Sequence, residues 1–440
     1  MKTTRLVIII LSATILVACN ADNGNKKSAE KTGPSHVKMK KVDGKYRLFV
    51  NGEEFYVKGA GCEYGACHLV AAHGGNSFRT WRVNNSQMTG KEVLDKALEH
   101  GLMVMMGLDV AKERHGFDYD DEEAVAAQFE QIKKDIMELK DHPALLGWGI
   151  GNELNLRYTN KKVWNAVNDI AKMIKEVDGN HVVTTMLAGI GKGEVDYIVE
   201  HCPEIDFLSI QMYGDIINLE KRLAEAGYNG PYLVTEWGAT GHWEMPSTEW
   251  GSPIEQTSAE KADAIKLRYE KAILTDSKNC MGSYVFLWGQ KQERTPTWYG
   301  LYTEKGEKTE AINVMEYLWT GEWPKHLAPR INNALIRGKG GRFDNVKLKQ
   351  NTEYSALIDL NNQSNGNISA RAEILPEPVE LSDGGDFEKR PTTIDDLIKS
   401  ISTSEVVFNS PKEKGAYRLF IFIVDDFDNV GTINIPFLVE

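Results

Sequence analysis

The sequence predicts an α/β chain with two folded parts: a closed (β/α)8 barrel over residues 36–328 and an all-β immunoglobulin-like sandwich over residues 329–440. Three observations carry this. Eight short apolar runs alternate with helical patterns between Tyr46 and Trp323, the signature of parallel strands joined by crossover helices. Past Pro329 the apolar period drops from three or four residues to two. The 440 residues, 42% hydrophobic and 26% charged, suffice for two full cores and rule out both a disulfide-stapled miniature and a wholly disordered chain.

In chain order the first feature is an export address. Lys2 and Arg5 precede an apolar run from Leu6 to Val17, too short to span a bilayer as an ordinary helix and of the length of a secretory leader. The run ends Leu16-Val17-Ala18-Cys19, which resembles the bacterial lipobox; the resemblance implies cleavage after residue 18 and lipidation of Cys19. Residues 1–18 are thus the expected signal peptide, and residues 19–35, rich in Asn, Lys, Ser and Gly, a flexible tether. No later apolar segment is long enough to cross a membrane. The expected location is therefore outside the cytoplasm, held by a lipid anchor to the outer membrane, at the cell surface or on the periplasmic face. Export permits disulfides among Cys62, Cys67, Cys202 and Cys280, but their spacing matches no zinc or redox motif. They read as buried or structural, with the pairing open.

The eight expected barrel strands are Tyr56 to Gly61, Ser77 to Val83, Leu102 to Leu108, Leu145 to Gly151, His181 to Met186, Asp206 to Met212, Tyr232 to Glu236 and Gly282 to Trp288. Between the third and fourth, Val125, Phe129, Ile132, Ile136 and Leu139 recur every three or four residues. Acidic residues from Asp120 to Glu123 precede them and Lys140 follows, as the helix dipole favours. Ala262, Ile265, Tyr269, Ala272 and Ile273 repeat the pattern before the last strand. In the sandwich, Ile368, Ala370, Ala372 and Ile374 alternate with polar residues, as do Ile433, Ile435, Phe437 and Val439. Tyr417 to Val424 is apolar on both faces and reads as a central strand. The acidic stretch Asp425, Asp426, Asp428, Asn429 lacks the full ligand spacing of a calcium loop and reads as a hairpin turn.

In such a barrel the reactive groups sit where strands end at the C-terminal face. Strand four ends Gly151-Asn152-Glu153 and strand seven ends Thr235-Glu236-Trp237-Gly238. These strands face each other across the barrel, and the 83 residues between Glu153 and Glu236 fit three βα units at about 31 residues each. Two opposed carboxyls over one mouth are what glycosidic bond cleavage needs, one to protonate the leaving oxygen and one to attack the sugar carbon or activate water. A separation of about 5 to 5.5 Å gives retention and about 6.5 to 9.5 Å inversion, a distance that sequence leaves open.

The pattern of Asn-Glu on strand four, Glu on strand seven and Arg79 on strand two resembles clan A of the retaining glycoside hydrolases. The resemblance implies a TIM barrel in which Glu153 is the acid/base, Glu236 the nucleophile and Asn152 the partner of the sugar 2-hydroxyl. Gly75-Asn76-Ser77-Phe78-Arg79-Thr80 is similar to the strand-two motif of family 2, whose Arg supports the nucleophile. Sandwich domains normally precede the barrel in that family, and this chain has no room for them. The order of lipobox, barrel and one C-terminal sandwich is more similar to family 158, the bacterial endo-β-1,3-glucanases. Tyr213, in Gln211-Met212-Tyr213-Gly214 at the end of strand six, either orients Glu236 through its hydroxyl or serves as a wall of the mouth. Trp81, Trp237 and Trp288 fall near C-terminal strand ends, with Trp237 and Trp288 the expected sugar platforms, whereas Trp148 reads as core. Glu63, Asp109 and His242 lie at or beyond strand ends, where each either hydrogen-bonds a sugar hydroxyl or, as charged loop residues most often do, only faces solvent.

The expected activity is retaining, endo-acting cleavage of β-1,3-glucan of the laminarin type. A β-mannanase, β-galactosidase or transglycosylase of the same clan is the near alternative, and a noncatalytic surface glycan-binding lipoprotein the distant one. No phosphate loop, cofactor motif or catalytic metal spacing is present. The net charge of −12 argues against a nucleic-acid partner, which leaves a polysaccharide substrate and a monomeric chain as the expectation.

Overall fold

The computed structural model describes residues 33–63, 66–382 and 384–440. The expected leader, the lipidation site Cys19 and the tether up to residue 32 lie outside the described residues. Among the described residues no helix is long and apolar enough to cross a membrane.

The chain begins with a small antiparallel sheet of β1 (Val37–Val42), β2 (Lys45–Val50) and β3 (Glu53–Phe55). Eight parallel strands then close a barrel in chain order: β4 (Val57–Gly61), β5 (Ser77–Arg79), β6 (Met103–Leu108), β7 (Leu145–Asn152), β8 (Val182–Ala188), β9 (Phe207–Gln211), β10 (Tyr232–Gly238) and β11 (Cys280–Phe286), with β11 pairing back on β4. Seven of the eight expected runs match their strands to within two residues at each end. The second strand stops at Arg79 rather than Val83 because Trp81 turns into the barrel mouth while Val83 is buried from the loop.

The barrel strands are buried almost throughout, since helices cover their outer faces and side chains fill the interior. The helix Glu122–Leu139 buries Ile132, Ile136 and Leu139, and its N-cap Asp121 accepts from the backbone N–H groups of Glu123 and Ala124. The helix Ser258–Arg268 is capped by a Thr257–Glu260 capping box and buries Ala262 and Ile265, while the turn after it buries Tyr269, Ala272 and Ile273. The first three strands were not anticipated. They close the floor: Val37, Leu48 and Val50 pack with Val57, Met103, Met105, Leu146, Val182, Leu233 and Met281 from the strands above. A Cys62–Cys67 disulfide closes the loop after β4, and Cys202 and Cys280 are buried free thiols.

The C-terminal part is a two-sheet sandwich. One sheet runs β12 (Lys308–Thr309), β20 (Asn429–Val439), β19 (Gly415–Asp425), β16 (Ile368–Pro376), with β14 (Val346–Leu348) also on β20; the other runs β13 (Arg330–Ile336), β15 (Glu353–Asn361), β18 (Glu405–Asn409), β17 (Ile398–Ile401). β19 is central, as its two apolar faces require. The acidic turn is a hairpin whose Asp425 carboxylate caps it, accepting from Phe427 and Asn429 N–H groups and from Ser364.

β20 is buried on both faces because its outer face meets the barrel. Thr432 N donates to Ser258 Oγ (2.8 Å), Asn434 Nδ2 to Glu255 (2.5 Å), and Arg418 Nη2 to the Pro253 carbonyl (2.6 Å). Arg371 forks onto Glu307 at 2.8 and 2.7 Å. Barrel and sandwich belong to one unit, Gly33–Glu440.

Candidate active site

The mouth is built from strand ends. Gly151 and Glu153 both adopt positive φ, +69° and +54°. A left-handed backbone is costly for a non-glycine residue, and it lets β7 turn sharply as it ends. The turn is fixed by Glu153 N donating to the Met186 carbonyl (3.0 Å) and by Arg114 Nη1 donating to the Glu153 carbonyl (3.0 Å).

Across the barrel, Glu236 receives four hydrogen bonds. Its Oε1 accepts from Trp81 Nε1 (2.8 Å), Gln211 Nε2 (3.1 Å) and Arg79 Nη1 (3.3 Å), and its Oε2 from the Tyr213 hydroxyl (2.7 Å). Arg79, 1% exposed, is the charged member of this set and also lies 4.8 Å from the Trp81 ring centroid. Arg79 Nη2 and Gln211 Nε2 each donate to Asn152 Oδ1 at 2.7 Å. The Asn152 amide thus has its oxygen held by two donors, and among the described residues its Nδ2 makes no hydrogen bond.

Glu153 is the opposite case. Its carboxyl accepts no hydrogen bond from the described residues, and it is only 9% exposed. Burial, and next the neighbouring Glu236, raise its pKa to about 7 despite the opposing charges of Arg114, Lys112 and Arg79. Burial and the two glutamates push the Tyr213 phenol well above its ordinary 10, so it stays a donor to Glu236.

These groups line a cleft of about 400 Å³ together with Glu63, Asp109, Lys112, Trp243, Phe286 and Glu293. Of the residues the sequence singled out, Glu153, Glu236, Asn152, Tyr213 and Trp81 line this cleft, and Arg79 lies directly beneath. Glu63 is there too, pushed upward in pKa by burial and paired with Arg82 at 2.5 Å. Asp109 lines the cleft exposed, and His242 sits on its rim, 3.8 Å from Glu293.

Two expectations are corrected. Trp237 is not a sugar platform: it is fully buried and stacks on Tyr269 at 5.5 Å. Successive side chains of a strand point to opposite faces, so with Glu236 directed into the mouth Trp237 must face the helix outside. Trp288 comes up to the cleft but is 1% exposed, its ring stacked on Trp319 at 5.6 Å and edge-on to Tyr302, so it offers no open face. The exposed aromatic of the strand-seven loop is instead Trp243, 61% exposed.

Gln211, Glu293, Lys112 and the segment Gly384–Phe387 were missed. Gln211 ends β9 two residues before Tyr213, a strand-end position of the kind that identified the others. Glu293, its pKa raised by burial against the opposing charge of Lys291, lies in an irregular loop with no periodic signal. Gly384–Phe387 belong to the sandwich.

Residues 67–247 match the family model described as glycosyl hydrolases family 2, TIM barrel domain. Among curated proteins none matches. A solved β-D-glucuronidase from Dictyoglomus thermophilum is similar over 66% of this chain and 54% of its own, with 16% identity and a TM-score of 0.51. A putative β-galactosidase from Bacteroides fragilis aligns over 92% of this chain and 57% of its own, with 14% identity and a TM-score of 0.48. The chain thus spans a little over half the length of these two structures. The expected kinship with family 158 finds no support here; the matched model is that of family 2, whose strand-two motif Gly75–Thr80 lies within the matched span. The match to the glycosyl hydrolases family 2 TIM barrel domain thus falls within the closed ring of eight parallel strands and spans Glu153 and Glu236, the two glutamates at its mouth.

Proposed function

We propose that the protein is a retaining β-glycosidase acting on a neutral glycan. The observation that carries the reading is the contrast between its two carboxyls: Glu236 receives four donors, whereas Glu153 is buried, receives none among the described residues, and is raised to about 7. A carboxyl in the first setting is oriented for attack by its donors, and one in the second keeps a proton near neutral pH. In the first step Glu236 attacks the anomeric carbon while Glu153 gives its proton to the departing glycosidic oxygen. In the second, Glu153 takes a proton from water, whose oxygen displaces Glu236 from the same carbon. Asn152 Nδ2 is free to hold the 2-hydroxyl through both steps. Acidic residues in the cleft lining outnumber basic ones by six to three, which disfavours polyanionic glycans.

β-1,3-Glucan and β-galactoside are the two substrates to separate first, the former from the domain order, the latter from the near alternatives in the clan. Lipidation at Cys19 and display outside the cytoplasm complete the proposal, and Cys19→Ser should move the protein from the membrane fraction to the soluble one.

The test is turnover of the purified chain on laminarin, mixed-linkage glucan, mannan, and aryl β-galactoside and β-glucuronide. NMR of the first product should show the β-anomer, and initial α-anomer would exclude retention. Glu236→Gln should abolish turnover on every substrate. Glu153→Gln should cost about 10² to 10⁴ on natural substrates but much less on aryl glycosides, whose leaving group needs no proton. Glycan binding with no sugar released would identify a noncatalytic binder instead.

A further inference from the structure

One side of the cleft is supplied by the sandwich. The connection between β16 and β17 runs to the barrel mouth and is pinned there by two barrel loops. From the loop after β6, Arg114 Nη2 reaches the Gly384 carbonyl (3.4 Å) and His115 Nε2 the Asp386 carboxylate (2.7 Å). From the loop after β11, Lys291 Nζ donates to the Gly385 carbonyl (2.7 Å). Arg294 gives Glu388 its backbone N–H (2.6 Å) and Nη1 (2.5 Å), and Glu388 is 3% exposed. Ser382 N adds a third donor to that buried carboxylate (3.0 Å). Between these fixed points Phe387 lines the cleft with 89% of its surface open to solvent.

A buried, multiply bonded carboxylate next to a fully presented phenyl ring is a costly way to build a surface loop unless the ring has a task. Flat rings offer an apolar face to the axial C–H groups of a pyranose. We propose that Phe387 is a substrate-binding residue, an outer subsite of the barrel's cleft donated by the C-terminal sandwich, which stacks on a sugar unit remote from the cleaved bond. Preference for longer glycan chains then depends on both parts of the molecule. The inference rests on the glycosidase reading for the identity of its ligand.

The experiment compares the wild-type chain with Phe387→Ala and Phe387→Tyr on β-linked oligosaccharides of two to six units from the polymer that the wild type cleaves, and on the matching aryl monoglycoside. Phe387→Ala should raise KM about five- to tenfold for the longest oligosaccharide with kcat unchanged, leave the aryl monoglycoside untouched, and be rescued by Phe387→Tyr. An equal effect at every length, or none, overturns the subsite while leaving the glycosidase intact. If the wild type releases no sugar, the catalytic reading has failed, and calorimetry with laminarihexaose and a β-galactohexaose decides the subsite. A five- to tenfold loss of affinity in Phe387→Ala sustains it; unchanged affinity or no binding overturns it.

Discussion

The two glutamates differ because of what surrounds them. Among the described residues four donors converge on Glu236 and none on Glu153, so a single cleft holds one carboxyl oriented by hydrogen bonds and one that burial keeps protonated toward neutral pH. Since a general acid must be protonated, kcat/KM should fall as pH rises through about 7, and Glu153→Gln should erase that alkaline limb. The same proton links to folding. The native state holds it more tightly than the unfolded chain, whose Glu titrates at 4.5, so the stability it contributes is complete below 4.5 and lost as pH rises through about 7. Relative to Glu153→Gln, the wild-type Tm should therefore drop across that window; parallel melting curves from pH 4 to 8 would show the drop is missing if the side chain is not buried as described. Tyr213→Phe removes one donor to Glu236 and should lower kcat by about ten- to a hundredfold, measured by steady-state kinetics.

At the scale of the strand, alternation decides which aromatic does what. Trp237 is locked against Tyr269 outside the barrel, and Trp237→Ala should cost about 3 to 5 kcal/mol in chemical denaturation. Trp243→Ala should leave stability unchanged, because that ring is 61% exposed on the cleft. The barrel strands were legible in the sequence because each is a short apolar run bounded by polar turns, and the glutamates because strand ends in a barrel converge. The same period of two was available to place Trp237, but proximity to a strand end is not orientation. Trp288 was illegible for another reason: its partner Trp319 lies 31 residues on, in the helix Glu310–Thr320, and no local pattern shows that they stack. The floor strands β1 to β3 are short, and in β1 the alternation of Val37 and Met39 with Lys38 and Lys40 breaks off at Lys41, too few residues for a clear period of two.

For the molecule as a whole, the sandwich is joined to the barrel by buried polar contacts. Asn434→Ala would leave the buried Glu255 short of a donor and should destabilise the chain by about 1 to 3 kcal/mol, read as a lower midpoint in urea with one transition if barrel and sandwich unfold together. That the sandwich reaches the cleft was beyond sequence reasoning. The residues that pin its loop, Arg114, Lys291, Arg294 and Glu388, are ordinary charges at scattered positions until the tertiary arrangement is known.

The sheet that floors the barrel also fixes where the chain enters it. Val37 N donates to the Asn180 carbonyl just ahead of β8, at the pole where the parallel strands begin, whereas the glutamates stand at the pole where they finish. Side chains of β1 and β2 stopper the axis at the former pole, and the cleft opens at the glutamates' pole. A label attached at the exposed His36, one residue ahead of β1, would thereby stand at the antipode of the glutamates.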